Sequence, residues 1–579
     1  MENKSKTIKQ KIRETSECIF LLFMGTIVVT YVMSYFLEGN LLGTIVHLFF
    51  KIAVISIFAC ITNTSKKPII FYNVIEFIFG SLNLLKIVAR CQPIEPWDLS
   101  LLGELGEISS FLEIDLLTLG IILIAAIFYI AVTILDVYII SQYCEVPSKK
   151  GKVLIFLITI PILIFLCTSY MEINMEYIES GSKGYANFTR FRRTSEYGGL
   201  VNFFLDLGIM NLENDDINYS EETMKDIYEK YEEDIVGKCE YDNVIVVLLE
   251  SYYDMNDFAN LKFEKDPLAT YREYAKENGE TKLLVNGIGG GTSNVEYQVL
   301  TMHSVDQYYE GIYPYMHLIK DDVYTLPQLF KDNGYETTAI HTYKKTFYNR
   351  DSAYEKMGID RFIGDVDIEN PEVSGAQISD NEIYEAIVET LETQEKSFIT
   401  ATTMGTHAPY TGFEYDEYDE WVVLEKALDE VEVGTNNYFQ SLRNLDKMLG
   451  KLVEYINNSE ERTLLIAYGD HYPLVYWILE EEGIVEKNDQ NLSPEKYPEL
   501  FETPYLVYSN VQNDIKTKEK IEPSEMGMYI LENVKLEKVG PLYNGIYNYF
   551  KGNESLENYQ LMQYDNIQGE QFWKKQNNK

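Results

Sequence analysis

Cysteine and positive charge are both scarce in this chain of 579 residues. It has six cysteines, and Cys239 alone lies beyond residue 170, so the later part offers neither a disulfide framework nor a cysteine-based zinc site. Lysine and arginine number 49 against 90 acidic residues, a formal net charge of -41. Because binding to phosphate backbones needs lysine and arginine patches, this balance argues against nucleic acid as a partner.

Apolar residues are concentrated in the first third of the chain. A helix needs about 20 mostly apolar residues to cross a bilayer, and five segments of roughly that character precede residue 170. They run over residues 18–37, 41–62, 69–87, 117–140 and 153–169. The pattern predicts a five-helix transmembrane bundle at the amino terminus. The first segment is too long, and too soon followed by others, to be a cleaved signal peptide.

Basic residues set the predicted orientation of this bundle. They cluster at residues 4–13, 66–67 and 149–152, and all three clusters fall on one side of the membrane if the chain crosses it five times. Since cytoplasmic loops carry the excess of lysine and arginine, the amino terminus is expected inside and everything after residue 170 outside. We therefore predict a multi-pass cell-membrane protein whose later part is extracellular.

The predicted domains follow from these changes in composition. A transmembrane domain covers residues 1–170, a polar juxtamembrane linker 171–238, the extracellular domain 239–550 and a polar tail 551–579. In the third region, short apolar runs alternate with helical periodicity, which is typical of an α/β fold with a mostly parallel sheet. The predicted strands are residues 244–249, 282–285, 337–340, 398–402, 463–467 and 505–508. Helices are expected at 325–332, 381–392 and 436–456.

Side chains able to do chemistry follow several of these strands. Functional residues of open α/β sheets gather at the carboxyl ends of strands, and three of the six histidines lie there together with two carboxylates. The residues concerned are Glu250, His341, His407, Asp470 and His471. Such a coincidence predicts a functional site at one edge of the sheet.

The chemistry that these residues suit is metal-assisted. Glu250, Asp470 and His471 offer two hard oxygen ligands and one imidazole, a mixture that fits zinc or manganese. Thr292 follows the glycine run at residues 287–291, and its hydroxyl needs a metal or a base to become a nucleophile. A flexible loop ending in a threonine helix cap is the alternative reading of that run. Arg350 and the remaining histidines are candidate donors for a phosphate or sulfate group.

Five stretches resemble the lipoteichoic acid synthase family of phosphoglycerol transferases, within the sulfatase and alkaline phosphatase superfamily. The matching stretches are residues 243–251 (NVIVVLLES), 289–300 (GGGTSNVEYQVL), 347–356 (FYNRDSAYEK), 402–410 (TTMGTHAPY) and 468–473 (YGDHYP). Five membrane spans followed by an extracellular sulfatase-like α/β domain is also the architecture of that family. The likeness implies the same fold for the extracellular part of this chain.

The resemblance also implies roles for individual residues. Thr292 matches the nucleophile of the family. Other residues match the positions that coordinate the metal and the positions that hold glycerol phosphate. The metal positions are Glu250, Thr292, Asp470 and His471, and the substrate positions are His341, Tyr348, Arg350 and His407. The implied cofactor is Mn²⁺ or Mg²⁺. The implied reaction transfers glycerol phosphate from phosphatidylglycerol, through a phospho-threonine intermediate, to a lipoteichoic-acid-type polymer or a glycolipid primer during cell wall biogenesis.

Two other interpretations stay open from the sequence. One is a phosphoethanolamine transferase, or a hydrolase of phosphate or sulfate esters, from the same superfamily. Threonine at position 292 argues against a true sulfatase, which needs cysteine or serine there, and the lone Cys239 contrasts with the disulfides usual in phosphoethanolamine transferases. The other is a non-catalytic, membrane-anchored protein that binds polymer. The joint presence of the metal and phosphate candidates disfavours it.

Overall fold

The computed structural model describes most of residues 218–576 and, before them, parts of residues 41–203. The chain divides into two compact units, Met1–Glu213 and Asn214–Lys579. In the first unit, helices α1 (Leu41–Thr62) and α2 (Lys66–Arg90) coincide with the second and third predicted apolar segments. Across the described residues, no helix is both long and apolar enough to span a bilayer. The predicted segment at 18–37, and much of those at 117–140 and 153–169, lie outside the described residues.

The second unit is built on a sheet of eight strands. In spatial order they are β12 (Lys520–Ile521), β3 (Lys282–Leu284), β11 (Glu502–Ser509), β10 (Thr463–Gly469), β1 (Asn243–Leu249), β8 (Ser397–Thr402), β4 (Glu336–His341) and β5 (Arg361–Ile363). Its centre is parallel, since β1 pairs with both β10 and β8, and β8 pairs with β4 in the same sense. β11 is antiparallel to both of its neighbours. β1 and β10 are buried along their whole length, as expected of strands covered on both faces. The predicted α/β fold with a mostly parallel sheet is confirmed.

The strands and helices of this unit have the following bounds. The strands are β1 Asn243–Leu249, β2 Leu261–Phe263, β3 Lys282–Leu284, β4 Glu336–His341, β5 Arg361–Ile363, β6 Val373–Ser374, β7 Gln377–Ile378, β8 Ser397–Thr402, β9 Val422–Leu424, β10 Thr463–Gly469, β11 Glu502–Ser509 and β12 Lys520–Ile521. The helices are α3 Glu221–Tyr228, α4 Ala269–Asn278, α5 Thr292–Thr301, α6 Pro314–His317, α7 Leu326–Asp332, α8 Arg350–Lys356, α9 Asn381–Thr393, α10 Asp429–Asn458, α11 Tyr476–Glu481, α12 Met526–Val534, α13 Gly540–Phe550, α14 Leu556–Ile567 and α15 Trp573–Gln576.

Helix α5 lies deep within this unit. Nine of its ten residues are buried, and its carboxyl end is held by the last part of the chain. The Tyr559 hydroxyl of α14 donates to the carbonyl of Met302 at 2.9 Å and accepts from the Ser304 amide at 3.0 Å. The carboxyl-terminal helices therefore support the element that begins at Thr292.

The structure differs from the predicted boundaries at both ends of this unit. Helix α3, within the predicted linker, buries Met224 and Tyr228 in the core, and α14, within the predicted polar tail, buries Met562. The Asp565 carboxylate of α14 accepts hydrogen bonds from Tyr219 and Tyr228. The sequence did not predict these helices as part of the core because they contain few apolar residues. Their tyrosines provide much of the packing instead.

Candidate active site

The metal-ligand candidates meet because their strands are neighbours. Leu249 of β1 lies opposite Gly469 of β10 in a parallel register, so the residues that follow these strands emerge side by side. Glu250 comes directly after β1, and Asp470 and His471 follow β10. One ligand atom from each of the three lies within 4.8 Å of the others, and all three side chains are buried.

The Thr292 hydroxyl lies against this cluster. It donates to Glu250 Oε2 at 3.2 Å and lies 3.5 Å from His471 Nε2. The same imidazole nitrogen is 3.2 Å from Asp470 Oδ2 and 3.5 Å from Glu250 Oε1. The structure thus brings the four predicted metal-coordinating residues into one buried group of three oxygen-bearing side chains and one nitrogen.

The electrostatics of the group fit a divalent cation. Burial, reinforced by the negative charge of Glu250, raises the pKa of Asp470 to about 7. Burial alone would lower the pKa of His471, but the charges of Asp470 and Glu250 outweigh it and raise that pKa. In the described part of the chain, Asp470 Oδ2 has no hydrogen-bond partner. Two buried carboxylates with an unsatisfied oxygen need a compensating positive charge, and Mg²⁺ and Mn²⁺ favour such oxygen ligands.

The tautomer of His471 also suits a ligand. Its Nδ1 lies 3.0 Å from the carbonyl oxygen of Tyr472, so Nδ1 carries the proton of the neutral ring and donates it to this carbonyl. The lone pair is then on Nε2, the atom that faces the carboxylates and Thr292. A backbone carbonyl that fixes the ring in this way is the usual support of a metal-binding histidine.

The glycine run positions Thr292 as the first residue of α5. A side chain on Gly287 would place its Cβ 2.2 Å from the carbonyl oxygen of Gly290, and one on Gly289 would lie 2.2 Å from Leu474. Gly289 and Gly291 have positive φ angles, 64° and 96°, which glycine adopts without strain. The run is therefore a tightly packed turn, and it directs the threonine hydroxyl at the metal-ligand candidates beside the amino end of a buried helix, where an anion is favoured.

The predicted phosphate-binding residues lie along the next strands. His341 ends β4 and its Nε2 is 3.4 Å from Arg350 Nη1. The guanidinium of Arg350 lies 5.4 Å from the ring centre of Tyr348. Tyr348 and Asn349 both have positive φ angles, 58° and 60°, a backbone strain that is frequent at functional sites.

His407 lies in a loop beside His341, and this loop is hydrogen-bonded to the backbone of Glu250. Burial lowers the pKa of His341, and the nearby charges of Arg350 and His407 lower it further, so the His341 ring is neutral. The His407 amide donates to the carbonyl of Met404 at 3.0 Å. Thr406 in the same loop donates through its hydroxyl to the carbonyl of Glu250. The loop therefore connects the phosphate-binding candidates with the metal-ligand candidates.

Sequence reasoning missed residues that hold the ligand candidates in place. The Ser251 amide donates to Asp470 Oδ1 at 2.8 Å, and its hydroxyl donates to Glu250 Oε1 at 3.0 Å. To do so Ser251 adopts a positive φ of 50°. The Thr403 hydroxyl accepts from the Glu250 amide at 2.8 Å. Both residues lie in stretches that resemble the lipoteichoic acid synthase family, 243–251 and 402–410, but the sequence assigned neither of them a role in the site.

A family model described as Sulfatase matches residues 242–532 of the chain. This match covers half of the chain and includes every residue of the site described above. The chain belongs to the sulfatase family.

Curated relatives of this sulfatase-family chain include lipoteichoic acid synthases. Lipoteichoic acid synthase 2 of Bacillus subtilis is 25% identical over 360 residues, covering 58% of this chain and 51% of the relative. A Rhizobium meliloti protein named for cyclic beta-1,2-glucan modification is 26% identical over 317 residues, covering 53% and 48%. The chain spans about half the length of the curated relatives it matches. The resemblance predicted from the sequence is confirmed by these matches.

A solved structure shares the fold of the second unit. It is the Streptococcus pyogenes phosphoglycerol transferase GacH in complex with sn-glycerol-1-phosphate, with a TM-score of 0.53 and 22% sequence identity. The superposition covers 62% of this chain and 97% of the other. At this identity the likeness establishes a common fold.

Proposed function

We propose that this protein transfers glycerol phosphate from phosphatidylglycerol to a lipoteichoic-acid-type polymer or a glycolipid primer. The observation that carries the proposal is the position of Thr292. Its hydroxyl lies 3.2 Å from one buried carboxylate and 3.5 Å from a buried imidazole, at the head of a buried helix. A hydroxyl held this way beside a cation site is equipped for nucleophilic attack on phosphorus.

The metal is proposed to be Mn²⁺ or Mg²⁺, held by Glu250, Asp470, His471 and Thr292. When bound, such a cation supplies Lewis acidity, which lowers the pKa of a coordinated hydroxyl and neutralises charge on a phosphate oxygen. The residues themselves do the rest of the positioning. Glu250 orients the threonine hydroxyl, and Ser251 holds both carboxylates at fixed angles.

The proposed reaction has two displacement steps at phosphorus. In the first, Thr292 Oγ1 forms a bond to the phosphorus of phosphatidylglycerol, the bond to the diacylglycerol oxygen breaks, and the threonine proton leaves with diacylglycerol. In the second, a hydroxyl of the acceptor forms the new bond to phosphorus, and Thr292 regains a proton as it departs. Arg350 and His407 are the donors proposed to hold the phosphate oxygens, and Tyr348 and His341 are proposed to contact the remainder of the glycerol phosphate.

The names of the relatives indicate two classes of acceptor. Lipoteichoic acid synthase 2 is named for lipoteichoic acid, and the Rhizobium meliloti relative is named for a glucan. We further propose that the first unit anchors the chain in the cell membrane through several spans and that the catalytic unit lies outside. This location gives Thr292 access to lipid headgroups of the outer leaflet.

Release of diacylglycerol tests the proposal. The purified protein is incubated with Mn²⁺ and vesicles of labelled phosphatidylglycerol, and a parallel sample receives phosphatidylethanolamine. We expect diacylglycerol from phosphatidylglycerol alone, and its loss in Thr292→Ala and after chelation of the metal. A matched control, Thr301→Ala, changes the threonine at the other end of the same helix and should keep the activity. Turnover of phosphatidylethanolamine instead would assign the site to phosphoethanolamine transfer.

A further inference from the structure

A buried ion pair links the nucleophile helix to the phosphate-binding candidates. Glu296 lies one helical turn after Thr292 in α5, and its side chain is 1% exposed, as is that of Arg350. Glu296 Oε2 accepts hydrogen bonds from Arg350 Nη2 at 3.0 Å and from Nε at 3.2 Å. One carboxylate oxygen therefore holds one whole edge of the guanidinium.

The other oxygen of Glu296 is held as well. The Tyr354 hydroxyl donates to Glu296 Oε1, and Tyr354 lies one turn after Arg350 in α8. Burial, together with the charge of Glu296, keeps the pKa of Tyr354 well above its ordinary value, so the phenol stays protonated and remains a donor. Tyr354 thus fixes the carboxylate that fixes Arg350.

The opposite edge of the guanidinium faces His341. His341 Nδ1 lies 2.9 Å from the carbonyl of Thr402, so in the neutral ring Nδ1 donates and Nε2 bears a lone pair. Arg350 Nη1 approaches this lone pair at 3.4 Å. Nε and Nη2 of Arg350 are hydrogen-bonded to Glu296. The Nη1 edge is therefore the part of the guanidinium that faces the strand ends, where the candidate site lies.

We propose that Glu296 is a positioning residue, which fixes Arg350 relative to Thr292 and so presents the Nη1 edge of the guanidinium to the phosphate of the substrate. The nucleophile and the anchor of the phosphate-binding arginine are four residues apart in one rigid helix. Their relative geometry is therefore set by the helix itself. The identity of the phosphate ester rests on the proposed function, whereas the coupling of Glu296 to Arg350 does not.

Stability alone does not account for this arrangement. Burying two charges costs desolvation energy that their attraction barely offsets, and apolar residues of similar size are often as stable or more so. Directional control of a guanidinium is what such a pair adds, because the planar fork of arginine bonds a carboxylate along a defined edge. The strained backbone of Tyr348 and Asn349, immediately before Arg350, is consistent with a demand for one orientation.

A double-mutant cycle tests the proposal with Glu296→Gln, Arg350→Gln and the double variant. Binding of sn-glycerol-1-phosphate and of inorganic phosphate is measured by calorimetry on the metal-loaded protein, and the melting temperature of each variant is recorded. We expect each single change to weaken phosphate binding about 10- to 100-fold, as misplacement of a binding group does. The double variant should bind no more weakly than Arg350→Gln alone, and should melt higher than Glu296→Gln because no unpaired charge is left buried.

The control is Asp565→Asn, which alters a buried carboxylate of α14 that is bonded to Tyr219 and Tyr228 and to neither Arg350 nor Glu296. It should lower the melting temperature without changing phosphate affinity. If Glu296→Gln does not fold, Tyr354→Phe takes its place, with an expected loss of about tenfold, equivalent to one hydrogen bond to a charged group, that vanishes when Arg350 is already glutamine.

Additive losses in the cycle would overturn the proposal, and so would unchanged or tighter phosphate binding by Glu296→Gln, which would mean that the carboxylate merely neutralises the arginine. The proposed function fails separately. The losses of inorganic phosphate binding in the cycle can be non-additive while the parent protein leaves phosphatidylglycerol intact. In that case the positioning role of Glu296 stands and the choice of donor lipid is wrong.

Discussion

At the scale of single residues, the candidate site consists largely of side chains at strand ends, and these are also the residues that the sequence predicted best. Glu250, Asp470 and His471 were identifiable because parallel strands end at one edge of the sheet, so adjacency in space follows from topology. Glu296 and Tyr354 were not, because each acts through a side chain that is distant in sequence and lies on another element. Nothing in a local pattern distinguishes a carboxylate that anchors an arginine from one exposed on a helix.

Asp380 is another buried carboxylate outside the predicted set. Its Oδ1 accepts hydrogen bonds from the amides of Met404 and Gly405, both at 3.0 Å, at the start of the loop that bears His407. A side chain on Gly405 would bring its Cβ within 2.4 Å of Asp380 Oδ2. This carboxylate therefore shapes the turn that places His407.

The protonation of Asp380 predicts a pH-dependent stability. Burial raises its pKa to about 6 from an ordinary 3.8. A raised carboxyl pKa means that the native state binds the proton more tightly than the unfolded state, so its contribution to stability is greatest below pH 4 and falls as the pH rises through 6. Asp380→Asn keeps the Oδ1 acceptor and removes the titration. Relative to this variant, the parent should lose up to about 3 kcal/mol of unfolding free energy between pH 4 and pH 7.

Chemical denaturation of both proteins at several pH values measures this difference. Because all other groups titrate alike in the two proteins, subtracting one profile from the other isolates Asp380. Parallel profiles would contradict the account, since they would mean that this carboxyl has the same pKa in the native and unfolded states.

At the scale of elements, long patterns were readable and short ones were not. Predicted strands and helices correspond to β1, β3, β4, β8, β10, β11, α7, α9 and α10, because continuous apolar runs and helical periodicity are strong signals. β5 and β12, with three and two residues, form sheet edges and carry too little pattern. The antiparallel direction of β11 was not predicted either, since the periodicity of a strand does not encode its direction.

Helix α14 is the element whose importance the sequence most concealed. Its Tyr559 stacks on Tyr549 of α13 with ring centres 4.1 Å apart and planes 4° apart, and bonds to the end of α5 through Met302 and Ser304. Asn566 donates to the buried His303 at 2.9 Å. The carboxyl end of α5, the helix that begins at Thr292, therefore depends on α14 for its packing.

Truncation tests this dependence. A chain that ends at residue 550 lacks α14 and α15 and exposes the core face that they cover. Folded domains are typically stable by only about 5–15 kcal/mol, so the loss of this buried surface is expected to unfold the chain. We expect it to be insoluble or unfolded by circular dichroism. The control ends at Gln576, the last residue of α15, and should melt like the full chain. A cooperatively folded chain ending at 550 would show that the fold does not require these helices.

At the scale of the whole molecule, the net negative charge of the chain opposes the binding of an anionic phosphate at the proposed site. A net charge of -41 repels anionic lipids at long range, although salt screens this beyond about 10 Å. Attraction for a phosphate must then come from within the site, where the guanidinium of Arg350 is balanced by Glu296 and the carboxylates of Glu250 and Asp470 remain to be neutralised. The proposed divalent cation would supply the missing positive charge, so we expect both phosphate binding and catalysis to depend on it.

The two units of the chain are expected to have different roles. Composition predicted a membrane part and an α/β part, and the second unit has that fold, beginning at Asn214. The names of the relatives differ in the class of acceptor, and no motif in this chain distinguishes between those classes. The proposed use of phosphatidylglycerol and the proposed covalent step, in contrast, rest on the few buried residues around Thr292.

Trapping the covalent intermediate tests the central claim most directly. The protein is incubated with phosphatidylglycerol and Mn²⁺ without an acceptor, quenched in acid, digested and analysed by mass spectrometry. The account predicts one glycerophosphate adduct, located on the peptide that contains Thr292, and none in Thr292→Ala or in a chelator-treated sample. Diacylglycerol release with no adduct on Thr292, or an adduct that persists on another residue of Thr292→Ala, would contradict it.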